Sequence, residues 1–234
     1  WRLPDEDNVW LQRYLEAYRF MVRHAGHDFA LSWPGGFVGM NLAVQLRGAA
    51  QAYVDMLEEP ANLRRLLDYA FDLTLYLHGR VEEIVGVHNR GLYGDHPLAR
   101  YRADRQPSQS VDAYALCGPG TLRAWDMNNL IRFHQRIGGG ILHIHENSRH
   151  VIEEVTEIPG WPLVHFTDGP GWPRAFEIRW ELRRRMKDTP IALRCEREEF
   201  MAAMARHDLP GNVQYGLAVG SLDEAREIMD RARA

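Results

Sequence analysis

From Ser110 to its end, the chain alternates short apolar runs with amphipathic stretches, and that alternation limits its fold more than any other feature. The runs are "SVDAYALC", "ILHIH", "PLVHFTD", "IALRC" and "NVQYGLAV". Each is followed by a stretch of helical character, such as "GTLRAWDMNNLIRFHQRIGG", "NSRHVIEEVTEI" and "PRAFEIRWELRRRMKD". Short, nearly continuous apolar runs suit strands covered on both faces. Strand and helix in strict alternation predict right-handed crossovers and a parallel sheet. Each unit takes about 25 residues, which matches the repeat of a (β/α)₈ TIM barrel. The rival is a doubly wound open sheet, which places a glycine-rich turn after its first strand. The one candidate, "SWPGGFVG", lacks the G-x-G-x-x-G spacing. The expectation is therefore an α/β chain, a single TIM-type barrel domain over residues 1–234. An earlier run from Phe29 brings the strand starts to Phe29, Val111, Ile141, Leu163, Ile191 and Val213. A closed barrel needs eight strands. Either two escape this reading, or the first two precede a chain that opens at Trp1. In the second case the strand at Phe29 to Trp33 is an open edge for another chain to cover, and a homo-oligomer is expected.

The first third reads as helical. "DEDNVWLQRYLEAYRFMVRH" carries Val9, Leu11, Tyr14, Leu15, Tyr18 and Val22 at helical spacing. A short helix in "GAAQAYVDMLEEP" ends before Pro60, and a long one follows with Leu63, Leu66, Leu67, Ala70, Leu77, Val81 and Val85 on one stripe. From His88 to Gln109 no period survives, and so long a loop is usually functional.

Composition excludes several classes of function. The net charge of -4 arises from interspersed signs, with no basic stripe to follow a nucleic-acid backbone. The densest basic run, Arg183 to Arg185, lies beside Glu181 and Asp188 and reads as a solvated helix face. No apolar run has membrane-spanning length, and no leader pattern is present. Cys117 and Cys195 are the only cysteines, so no disulfide framework is implied and a reducing, cytoplasmic setting is expected.

The chemistry concentrates in "GGGILHIHENSRH". Residues two apart on a strand share a face, so His143 and His145 point together. They stand at the C-terminal end of their strand, where barrel active sites are built. By itself an H-x-H pair can equally hold a metal or hydrogen-bond a carboxylate or substrate. Glu146, next in line, is a candidate catalytic base, a fourth ligand or an acceptor for an imidazole N–H. Asp112 reads as a strand carboxylate that binds substrate or pairs with Arg102 or Arg105, since burying it alone is costly. Asp168 ends the following strand, and is either catalytic or a turn former before Gly169. His165 and Trp33 are candidates for lining the substrate pocket, with core packing the alternative for Trp33. Cys195 is a metal ligand or a small buried hydrophobe.

Several passages resemble the uroporphyrinogen decarboxylase superfamily, which also contains zinc-dependent methyltransferases that work with corrinoid proteins. "LRGAAQAYVDMLEEPANLRRLLDYAFDLT", "SVDAYALCGPGTLRAWDMNNL", "GGGILHIHENSRHVIEEVTEIPG" and "GLAVGSLDEAREIMDRA" are similar, in order, to four passages of that family. The resemblance implies a TIM barrel whose visible strands are the third to the eighth. It places His143 on the family's zinc-binding histidine and His145 on its first zinc-binding cysteine. With "ILHIH" as strand five and "IALRC" as strand seven, Cys195 would complete a His₂Cys zinc site with an open position, since alternate strands feed one interior layer. Two departures argue against porphyrinogen decarboxylation. The family's arginine-rich motif has no counterpart here, and its glycine-histidine-glycine turn is replaced by "YGLAVGS".

The leading expectation is thus a zinc-dependent methyltransferase. It would move a methyl group between a corrinoid, held on a partner protein, and a small thiol, ether or amine. The alternative is a cofactor-free decarboxylase whose substrate carboxylates are held by Arg90, Arg100, Arg102 and Arg105. A third reading is a barrel that binds a tetrapyrrole or a partner without catalysis.

Overall fold

The computed structural model describes residues 1–26, 29–31, 38–88, 109–137, 140–159 and 163–233. Trp33 and the arginines 90, 100, 102 and 105 fall outside these residues, so the roles expected for them do too. Four helices come first: α1 (Val9–Ala25), α2 (Met40–Arg47), α3 (Ala49–Glu58) and α4 (Pro60–His88). The side chain of Asn8 caps α1 by accepting from the N–H groups of Trp10 and Leu11. Leu11 and Leu15 of α1 pack against Val81 and Val85 of α4, the pairing that their helical stripes predict.

Five strands follow: β1 (Gln109–Ser110), β2 (Ile141–Ile144), β3 (Leu163–Phe166), β4 (Ile191–Arg194) and β5 (Val213–Gly216). They form one parallel sheet in the order β1-β2-β3-β4-β5. Among the described residues the order never reverses, so the sheet has none of the switch points that define a doubly wound fold. Between and after the strands lie α5 (Thr121–Trp125), α6 (Met127–Ile137), α7 (Ile152–Val155), α8 (Arg179–Arg185), α9 (Arg197–Ala205) and α10 (Leu222–Arg233). The chain is therefore an α/β protein built on a parallel sheet.

Register divides the sheet into two unlike faces. Ser110, His143, His165, Ala192 and Gln214 are in register across the five strands and share one face. The other face presents Leu142, Ile144, Val164, Phe166, Ile191 and Leu193, all fully buried. It packs against Leu122, Leu130, Ile152, Leu182 and other helix residues in one cluster. Burying each large side chain there contributes about 1.5–3 kcal/mol.

Three sequence-based expectations need correction. The run from Phe29 forms no strand over residues 29–31, and its remainder lies outside the described residues. "SVDAYALC" is strand only at its first residue: Ser110 ends the two-residue β1, and the chain then turns into a 3₁₀ helix, Asp112–Leu116. The buried Asn41 of α2 decides this. Its amide donates to the Ser110 carbonyl at 2.9 Å and accepts from Ala113 N–H at 2.8 Å, so the backbone finds its partners without a ladder. The helix expected over residues 120–139 breaks at Asp126 into α5 and α6. The Asp126 carboxylate turns inward to accept Met40 N–H at 2.7 Å, and burial raises its pKa. Gly39 adopts φ +58, and a side chain there would collide with that carboxylate.

Candidate metal centre

Residues in the next row of the polar face, one step nearer the C-terminal strand ends, carry the chemistry. Strand pairing continues past β2 and β3 through a bond from Thr167 N–H to the Ile144 carbonyl at 3.1 Å, which sets His145 beside Thr167. Extending the β3–β4 register by two residues adds Arg194, which pairs with Gly216 of β5. Asp112 stands two residues beyond Ser110, at the end of β1, because the 3₁₀ turn begins there. A carboxylate, an imidazole, a hydroxyl and a guanidinium therefore follow one another along the rim.

Three imidazoles touch in sequence. His143 Nε2 lies 3.1 Å from His145 Nε2, and His143 Nδ1 lies 3.2 Å from His165 Nδ1. His145 Nε2 is also 3.6 Å from Asp112 Oδ2. Donor atoms of Asp112, His143 and His145 all fall within 4.8 Å of one another. Two nitrogens bound to one zinc at about 2.0–2.1 Å, with a tetrahedral angle, stand about 3.3 Å apart. The facing Nε2 atoms are close to that spacing. Asp112 Oδ1 is buried with no hydrogen-bond partner among the described residues, as a carboxylate awaiting a cation would be. Two imidazoles and a carboxylate are an established donor set for catalytic zinc with an open position.

The opposite ring nitrogens have supports of their own. His145 Nδ1 lies 3.2 Å from Thr167 Oγ1 and 3.6 Å from Glu146 Oε2. His143 Nδ1 rests on His165, which is only 2% exposed. Metal-ligating histidines are held by such contacts at the nitrogen facing away from the ion, which fix tautomer and ring angle. Gly169 makes room for this arrangement, because a Cβ there would run into the Glu146 carboxylate. Burial, above all, lowers the pKa of His143 below the usual imidazole value, and the nearby His145 and Arg194 charges act in the same direction. Asp112 and Glu146 oppose it. The neutral form that a metal requires is thus favoured.

Comparison with protein-family models, with curated proteins and with solved structures found no match to this chain.

The remaining expected site residues go elsewhere. Cys195 does not join the histidines. Ala192 and Arg194 occupy the histidine face of β4, so Cys195, one residue on, turns to the opposite side. It is 6% exposed in a cluster with Phe176, Phe200, Ala203 and Ile228. Burial pushes its thiol up to about 11, the reverse of what a zinc thiolate needs. Asp168 likewise sits one residue past the row. It accepts from Ala175 N–H at 2.5 Å and from the buried Arg149 at 3.4 Å, anchoring the segment between β3 and α8. Arg149 also donates to the carbonyls of Pro173 and Thr167, and so braces the rim from below. Sequence reasoning assigned Asp112 to substrate and missed Thr167 and Arg194. Counting by two from His165 reaches Thr167, but only the β3–β4 register places Arg194 in the same row.

Proposed function

We propose that this chain is a metal-dependent enzyme built as a (β/α)₈-type barrel, with zinc held by Asp112, His143 and His145 at the mouth. The single observation that carries the reading is the convergence of those three side chains within 4.8 Å at the C-terminal ends of β1 and β2. Support for the barrel comes from the parallel, chain-ordered sheet with its apolar face turned to the helices. A zinc ion in such a site supplies Lewis acidity, which lowers the pKa of a bound thiol or polarises a leaving group.

The protein's own residues do the rest. Asp112 would supply the third donor and offset the ion's charge. His165 and Thr167 hold the two ligand rings in place. Glu146, with a buried oxygen that has no hydrogen-bond partner among the described residues and lies 3.6 Å from His145 Nδ1, takes the ring proton's partial charge. The reaction we assign is methyl transfer between a corrinoid, carried on a partner protein, and a small thiol, ether or amine. That choice follows the resemblance to the uroporphyrinogen decarboxylase superfamily, modified by a carboxylate in place of the thiolate ligand. Decarboxylation is the second reading, and Arg194 is the observation that favours it, since such an enzyme must hold a carboxylated substrate at the mouth.

The test is elemental analysis of untagged protein beside His145→Ala. About one zinc per chain, lost in the variant, is the expected result. Protein that turns over substrate without metal would overturn methyl transfer and leave decarboxylation.

A further inference from the structure

Most arginines around the sheet are committed to partners. Arg174 pairs with Glu199 at 2.7 Å, Arg185 with Glu153 at 2.7 Å and Arg197 with Glu224 at 3.2 Å. Arg179 pairs with Asp208, and Arg149 is spent on carbonyls and Asp168. Arg194 differs. It is exposed at the end of β4, and no carboxylate among the described residues lies within ion-pair distance of it. Its position is not arbitrary. Register sets it in the rim row with His145 and Thr167, on the face that also carries His143 and His165. Neighbouring strands lie about 4.8 Å apart, so the Arg194 backbone is about 10 Å from that of His145, two strands away. An extended arginine side chain spans much of that gap.

We infer that Arg194 is the anion-recognition residue of the mouth, and that the substrate carries a carboxylate or phosphate group which this guanidinium grips while the reacting atom meets the Asp112–His143–His145 cluster. The inference rests on reading the strand-end mouth as the substrate site. It does not depend on which ion the cluster holds. A planar guanidinium offers paired N–H donors that match either anion in a two-point contact, and such charge-assisted contacts are the strong ones. Its distance from the cluster suits a compact substrate, with the anionic group a few bonds from the reacting centre.

The experiment is calorimetric titration of purified protein with succinate and, separately, with inorganic phosphate, at millimolar concentrations. Wild type is compared with Arg194→Gln, Arg194→Lys and the distant control Arg226→Gln, and zinc content is measured on every sample. Saturable binding of one anion, weakened about 10- to 100-fold in Arg194→Gln and partly kept in Arg194→Lys, is expected. Arg226→Gln should bind as wild type does. Succinate responding in this way identifies a carboxylate, and phosphate a phosphoryl group. The proposal is overturned by three results: no saturable binding of either anion, equal weakening in Arg226→Gln, or undiminished binding in Arg194→Gln. Loss of zinc together with anion binding in Arg194→Gln would also overturn it, by making Arg194 a support of the cluster. Arg194-dependent anion binding in protein that holds no zinc would retain the anion site and discard the metal reading.

Discussion

The two faces of the sheet use the same strands for opposite purposes. On one, Leu142, Ile144, Val164, Phe166 and Leu193 are fully buried against helices. On the other, His143, His165 and Gln214 occupy positions where apolar side chains would pack more cheaply. Burying imidazoles costs desolvation, which contacts such as those between His143 and His145 and between His143 and His165 offset. The comparison teaches that stability is concentrated on the helix side, while the polar side spends part of it to hold an arrangement of donors. Such local departures from good packing are expected at functional sites.

The largest effect that can break this comparison comes from the apolar side. Phe166→Ala should cost about 3–5 kcal/mol in urea unfolding, because it empties a fully enclosed position. A loss below about 1 kcal/mol would mean that the helix face is not the principal source of stability. Next is the boundary between stability and function at Gly169. Gly169→Ala displaces the Glu146 carboxylate, with an expected cost of about 1–3 kcal/mol in overpacking and a zinc affinity about 10- to 100-fold weaker in competition with a chelator. Weakened folding with unchanged zinc affinity would detach Glu146 from the centre.

Acid should act on the polar side first. The folded-state pKa of His143 lies below the unfolded value of about 6.5. Its contribution is therefore intact above about pH 6.5 and is lost as pH falls from there through the folded value. Metal-free protein should lose stability over this range, and His143→Gln should flatten the profile. An unchanged slope in the variant would place the acid sensitivity elsewhere. The smallest expected effect is at Cys195. Cys195→Ala should leave zinc content unaltered and cost only a modest packing loss, because its thiol is buried among Phe176 and Phe200 with its pKa pushed up to about 11. Zinc lost from Cys195→Ala would reverse the assignment of the third ligand to Asp112.

Much of this architecture is legible along the chain. The alternation of runs and helices after Ser110 predicts a parallel α/β sheet, and the strands at Ile141, Leu163, Ile191 and Val213 begin where the runs do. The shared face of His143 and His145 follows from the two-residue period within a single strand. Other features needed neighbours. The backbone at Ser110 to Leu116 turns into a 3₁₀ helix because Asn41, a residue from a distant helix, takes its hydrogen bonds. That turn is what delivers Asp112 to the histidines.

Within each strand, then, the sequence by itself determined which residues share a face and that the strands would be parallel. It did not determine which face of β4 meets the histidine face of β2, since no local period carries information from one strand to another. Only register did: His143 aligns with His165, and His165 with Ala192, so Arg194 rather than Cys195 reaches the rim. With a period of two, a shift of one residue exchanges a guanidinium for a thiol, and interstrand hydrogen bonding together with packing of Leu193 and Phe166 against the helices made that choice.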